Sequence, residues 1–155
     1  MKKWLIVAIL LVVVAIGAGT LFTLIKNPAS QTYSTPAVNI TYSNIQTELP
    51  KTNVIQALPK DAVILINFYN FDSGEKVIEK SYILTNGGMI EGSRDSDLII
   101  SIHSKYLSEL TNQNFCQVIE EAKANGDLGI ETNLSSTQLA WKFKSMYSYR
   151  TCLGF

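Results

Sequence analysis

The chain has one histidine, His103, and two cysteines, Cys116 and Cys152. A metal centre built from imidazole and thiolate, or a histidine-based nucleophilic triad, needs more partners than these residues supply. His103 follows an apolar run, where the ordinary role is a strand-end side chain bonded to a neighbouring carbonyl. No phosphate-cradling glycine loop is present, since Gly87-Gly88 reads as a turn. Net charge is missing too: 13 basic residues cancel 13 acidic ones. Three of the 13 basic residues, Lys2, Lys3 and Lys26, flank the N-terminal apolar stretch, which leaves 10 against 13 acidic residues beyond it. A slightly acidic balance with scattered charges argues against nucleic acid or an anionic membrane surface as partner. Proline is confined: Pro28, Pro36, Pro50 and Pro59 are the only four.

What the chain does have is one long apolar run, Trp4 to Ile25, with no charged side chain. As a helix these 22 residues would extend roughly 33 Å, enough to cross a hydrocarbon core of about 30 Å. Lys2 and Lys3 on the N-terminal side predict a cytoplasmic N-terminus, with the rest of the chain outside. The rival reading is a cleaved signal peptide, because Gly17-Ala18-Gly19 offers a small-residue cleavage site. Both readings place the C-terminal domain outside: a single-pass cell-membrane protein in one case, a secreted one in the other.

Three regions follow: an anchor at 1–25, a tether at 26–59 rich in Pro, Ser, Thr and Asn, and a folded domain at 60–155. The prolines leave room for at most one short helix between Pro50 and Pro59. Ile40, Ile45, Leu49, Val54, Ile55 and Leu58 are more apolar than a free tether needs, so part of it should pack on the domain.

Ala62–Tyr69, AVILINFY, is β-branched and aromatic and predicts a buried strand. Lys76–Thr85 is its hairpin partner. A third strand spans Asp97–His103 and a fourth Asp127–Thr132. Between the last two the period changes. Ser104 opens a short helix carrying Tyr106, Leu107 and Leu110. Asn114 opens another, with Phe115, Val118, Ile119 and Ala122 on one stripe and Gly126 at its end. Glu120-Glu121 falls off that stripe, on a solvated face. Ser135-Ser136-Thr137-Gln138 is a capping box for a last helix, with Leu139, Phe143, Met146 and Tyr147 inward. The expected fold is α+β: an antiparallel sheet of about four to five strands with helices on one face, in the order β-β-β-α-α-β-α, preceded by one transmembrane helix.

This pattern resembles the sterol-carrier-protein (non-specific lipid-transfer) domain family. Three pieces carry the likeness. They are the hairpin with Asn86-Gly87-Gly88-Met89, the strand Asp95–Ile102 followed by Tyr106–Leu110, and Ala124–Ile130 followed by Leu139–Phe143. Together they span about 61–146. The resemblance implies a hydrophobic tunnel between sheet and helices that takes lipid-like molecules, without catalytic residues or cofactor.

The candidate lining residues are Phe68, Tyr82, Ile100, Phe143 and Met146, all large apolar groups on inferred inward faces. Cys116 and Cys152 could form a disulfide in an oxidising compartment, or remain two buried thiols. Asp95-Ser96-Asp97 reads as turn chemistry rather than a metal-binding pair. Trp141, which around the last helix falls between Lys142 and Lys144 and away from Leu139 and Phe143, suits a membrane interface or a partner surface, unless the C-terminal tail covers it. The function expected is that of a membrane-anchored, extracytoplasmic, non-catalytic domain that binds a lipid-like ligand. The alternative is a cell-envelope interaction module with a filled core.

Overall fold

The computed structural model describes residues 36–72 and 74–153. The apolar run at 4–25 and the first part of the tether lie outside these. Among the described residues, no helix is long and apolar enough to cross a membrane.

The sheet is built around Ile64–Asp72 (β1). Its first six residues are almost continuously buried, as suits a strand with neighbours on both sides. Glu75–Thr85 (β2) returns beside it, antiparallel, from Ile64 opposite Leu84 to Asp72 opposite Glu75. The register shifts between Phe68 and Tyr69, leaving Glu79 as an extra residue on β2. Gly88–Glu91 (β3) pairs with the end of β2. Leu98–His103 (β4) then pairs with β1, and Leu128–Thr132 (β5) with β4. The order across the sheet is β3-β2-β1-β4-β5.

This corrects the expected antiparallel sheet. β1 and β4 are parallel, so the five-stranded sheet is mixed. Strand–turn–strand patterning looks the same whichever neighbour a strand chooses, and it cannot reveal that the chain crosses over after β3. The crossover is fixed at its far end. Asp97 N–H donates to Val63 O at 2.8 Å, and Val63 N–H donates to Asp97 Oδ2 at 2.8 Å. The four-residue β3 is too short for its alternation to be read from sequence.

Helical segments cover one face of the sheet. Ahead of β1 come Ile45–Glu48 (α1), a 3-10 turn at Leu49–Lys51 and Asn53–Gln56 (α2). A 3-10 segment at Ser104–Ser108 and the helix Phe115–Ala124 (α3) lie between β4 and β5. After β5 come Ser136–Lys142 (α4), a 3-10 stretch at Lys144–Tyr149 and Arg150–Leu153 (α5). Ile64, Ile66, Phe68, Tyr82, Leu84, Leu98, Ile100 and Ile102 share one core with Val118, Ile119, Ala122, Phe143 and Met146. Burying each large apolar side chain stabilises the fold by roughly 1.5–3 kcal/mol.

The same core includes Ile40, Ile45, Leu49, Val54, Ile55 and Leu58. The expected tether therefore belongs to the domain from about residue 40. The prolines do not prevent this. Pro50 sits in the first turn of its 3-10 segment, where the missing N–H has no partner to lose.

The Ser135–Gln138 capping box is present in both directions. Asn114 instead makes no side-chain cap; its Oδ1 accepts the Thr111 N–H at 2.7 Å. Gly126, at φ +77°, ends the turn after α3, a conformation that glycine adopts without steric cost. Tyr147 is exposed rather than inward. At Lys144 the helix tightens from 3.6 residues per turn to three. The inward row becomes Phe143, Met146, the half-buried Tyr149 and Cys152.

Candidate functional site

The face between sheet and helices is where a ligand tunnel is expected. All five candidate residues, Phe68, Tyr82, Ile100, Phe143 and Met146, are buried there. Phe68 and Ile100 meet at an apolar void floored by Ile66 and Ile102 and roofed by Tyr106, Phe115 and Val118. Tyr82 packs edge-on against Phe68, with ring centroids 6.1 Å apart, but does not line the void. Phe143 and Met146 lie elsewhere in the same core. Two of the five thus come together at one space.

That space has a volume of about 20 Å³. A single water needs at least about 10–15 Å³ and two or more polar partners, so a void with this lining stays dry. Pockets for small organic ligands run to about 300 Å³ or more. Among the described residues, this void is too small for such a ligand.

Tyr82 carries a polar irregularity. Its hydroxyl is buried with no hydrogen-bond partner among the described residues. Burial first, and then the negative charge of Glu91, push its pKa above the ordinary phenol value, with Lys80 opposing.

The polar clusters are fastenings. His103 Nδ1 accepts the Lys105 N–H at 3.2 Å and so caps the 3-10 segment that follows. Asp127 Oδ2 accepts from Lys105 Nζ at 2.6 Å and from Tyr106 Oη at 3.0 Å. The Lys105 contact, ahead of the Tyr106 one, holds the Asp127 carboxyl below its usual range. Asn125 Nδ2 donates to Tyr106 Oη at 2.8 Å, tying the end of α3 to the same group. On the bulge, Tyr42 Oη donates to Glu79 Oε2 at 3.0 Å. Glu79 is held low by hydrogen bonds, the largest from Ser104 and the next from Tyr42. Asp97 is anchored through both carboxylate oxygens, to Val63 N–H and to Lys142 Nζ. No group of three or more His, Cys, Asp or Glu able to hold a metal occurs among the described residues.

Cys116 and Cys152 are joined in a disulfide. It ties the first turn of α3 to α5 and so clamps the C-terminal segment onto the domain. Trp141 is 74% exposed and forms one wall of a shallow open groove of about 510 Å³ with Pro59, Leu134, Gln138 and Lys144. Beside it runs a row that inspection of single residues misses. Lys144 Nζ lies 4.6 Å from the Trp141 ring centre, and the Arg150 guanidinium carbon 4.4 Å from that of Tyr147. The signal in the sequence is an aromatic or a cation at every third position from 141 to 150.

No family model matches the chain, and no curated protein matches it. Among solved structures, a UbiJ-SCP2 ubiquinone synthesis protein is similar at 9% identity and a TM-score of 0.37. The match covers 68% of this chain and 85% of that one. At those values the likeness is a loose one of fold and says nothing of a ligand.

Proposed function

We propose that this chain is a membrane-tethered, extracytoplasmic and non-catalytic interaction module whose core is filled by its own side chains. The supporting observation is the interior void of about 20 Å³, more than tenfold below the volume of pockets that take small organic ligands, about 300 Å³ or more. The polar groups beside the core fasten the fold to itself. What remains for recognition is the surface, above all the aromatic and basic face of the last helical segments. The expected topology rests on Lys2 and Lys3 flanking the apolar run. A cysteine introduced at Ser34 should be labelled from outside intact cells; labelling only after lysis would reverse the orientation.

A second reading keeps the lipid-like ligand. It is favoured by the place of the void, which lies between sheet and helices, is lined by apolar side chains and touches Phe68 and Ile100. An acyl chain would have to displace the covering helices to enter. Gentle mass spectrometry of residues 36–155, which contain the whole described core, separates the two. The filled module flies at the mass of its polypeptide. A co-purifying adduct of lipid mass would establish the second reading instead.

A further inference from the structure

The last helical segments sort their side chains into rows three residues apart. Phe143, Met146, Tyr149 and Cys152 turn inward; Trp141, Lys144, Tyr147 and Arg150 are exposed. The cause is the 3-10 stretch at Lys144–Tyr149, in which side chains at i and i+3 eclipse. The outer row alternates aromatic and cation, and each cation lies over the ring three residues before it, at 4.6 and 4.4 Å. The two rings are 74% and 68% exposed. From Asn133 to Phe155 the chain has three basic residues and no Asp or Glu. Lys142 is held by Asp97 and reaches Asp61, so Lys144 and Arg150 are the cations this face presents.

We propose that this row docks the domain on a bilayer surface rich in anionic phospholipid, with the two rings at headgroup level and Lys144 and Arg150 on the phosphates. Trp and Tyr favour that depth because one end of each ring is apolar and the other wet. Lys and Arg lay their stems along the rings and keep their charged heads at the surface. Chain length supports the same occupant. Only residues 26–35 separate the apolar run from the first described residue. Ten extended residues span at most about 36 Å. An anchor at 4–25 would therefore hold the domain within reach of the headgroups. The inference deepens the interaction-module reading and rests on it, and on the expected anchor.

The chain has two tryptophans, Trp4 and Trp141, so Trp4→Phe leaves Trp141 as the sole indole. The test reconstitutes this full-length variant in vesicles of phosphatidylcholine alone, or with about one third phosphatidylglycerol, each with brominated acyl chains as quencher. Each basic residue near an anionic surface is worth about fivefold in binding. Quenching of Trp141 should therefore be strong with phosphatidylglycerol. It should fall several-fold in phosphatidylcholine, in high salt, or in Lys144→Gln/Arg150→Gln. Both substitutions are at exposed positions, and an unchanged circular dichroism spectrum checks the fold. Absence of quenching in either lipid, or quenching indifferent to lipid charge and to the double substitution, would overturn the proposal. A fatty-acid probe bound inside the domain would instead defeat the filled-core reading, so the two failures are distinguishable.

Discussion

Lys142 Nζ lies 2.8 Å from Asp97 Oδ1, joining residues 45 positions apart. The other Asp97 oxygen accepts the Val63 N–H at 2.8 Å, so one carboxylate holds together the start of β4, the entry to β1 and the end of α4. Both side chains are mostly buried, at 23% and 17% exposure. Hydrogen bonds to charged groups are worth about 1.5–3 kcal/mol. Asp97→Ala should cost about 2–3 kcal/mol in urea unfolding. Asp97→Asn, which keeps an acceptor for Val63, should cost clearly less. Equal costs would mean that only the ion pair matters.

Reduction of the Cys116–Cys152 bridge should lower the melting temperature of the domain. The bridged residues are 36 positions apart, and the loop-entropy relation gives about 3–4 kcal/mol for a loop of that length. Differential scanning calorimetry with and without reductant reads the change. A transition that does not move would show that the bridge adds nothing to the contacts already clamping α5 to α3.

Tyr82→Phe should leave stability unchanged or raise it. The substitution removes a buried hydroxyl that has no partner among the described residues and keeps the edge-on ring contact with Phe68. Relief of an unpaired buried polar group can be worth about 1 kcal/mol. A loss of more than that in chemical denaturation would reveal a partner for the hydroxyl.

Stability should fall on both sides of neutrality. The Glu79 and Asp127 carboxyls are held below their ordinary values. Their contribution is complete above the unfolded carboxylate range of about 4 and is lost as pH drops through the folded values. Lys105 is held above its ordinary value by its hydrogen bond to Asp127. Tyr42 is also raised, by burial first and its bond to Glu79 next. Both contributions are complete below about pH 10 and are lost as pH rises beyond it. Melting temperature against pH checks this, and Asp127→Asn should flatten part of the acid limb.

The elements legible in the sequence were those with a local cause. AVILINFY announces a buried strand because β-branched and aromatic residues fill both of its faces. Ser135 and Gln138 announce a helix because each caps the other. The stripe of Phe115, Val118, Ile119 and Ala122 needs only the helical period, and all four are buried. The parallel pairing of β4 with β1 was not legible, because the choice of neighbour is settled by contacts such as Asp97 with Val63 that lie far apart in the chain. Tyr147 was misplaced because the sequence does not show where 3.6 residues per turn tighten to three. Of the site, inwardness was legible for all five candidates. Whether inward side chains leave space is a property of packing density, and no single residue carries it.

A fluorescent fatty acid titrated into residues 36–155 tests the filled core most directly. The account predicts no saturable rise in probe fluorescence up to tens of micromolar protein, as about 20 Å³ of interior space cannot seat an acyl chain. Saturable binding at one probe per domain, abolished by a bulkier residue at Ile100 in a protein that still melts cooperatively, would contradict it.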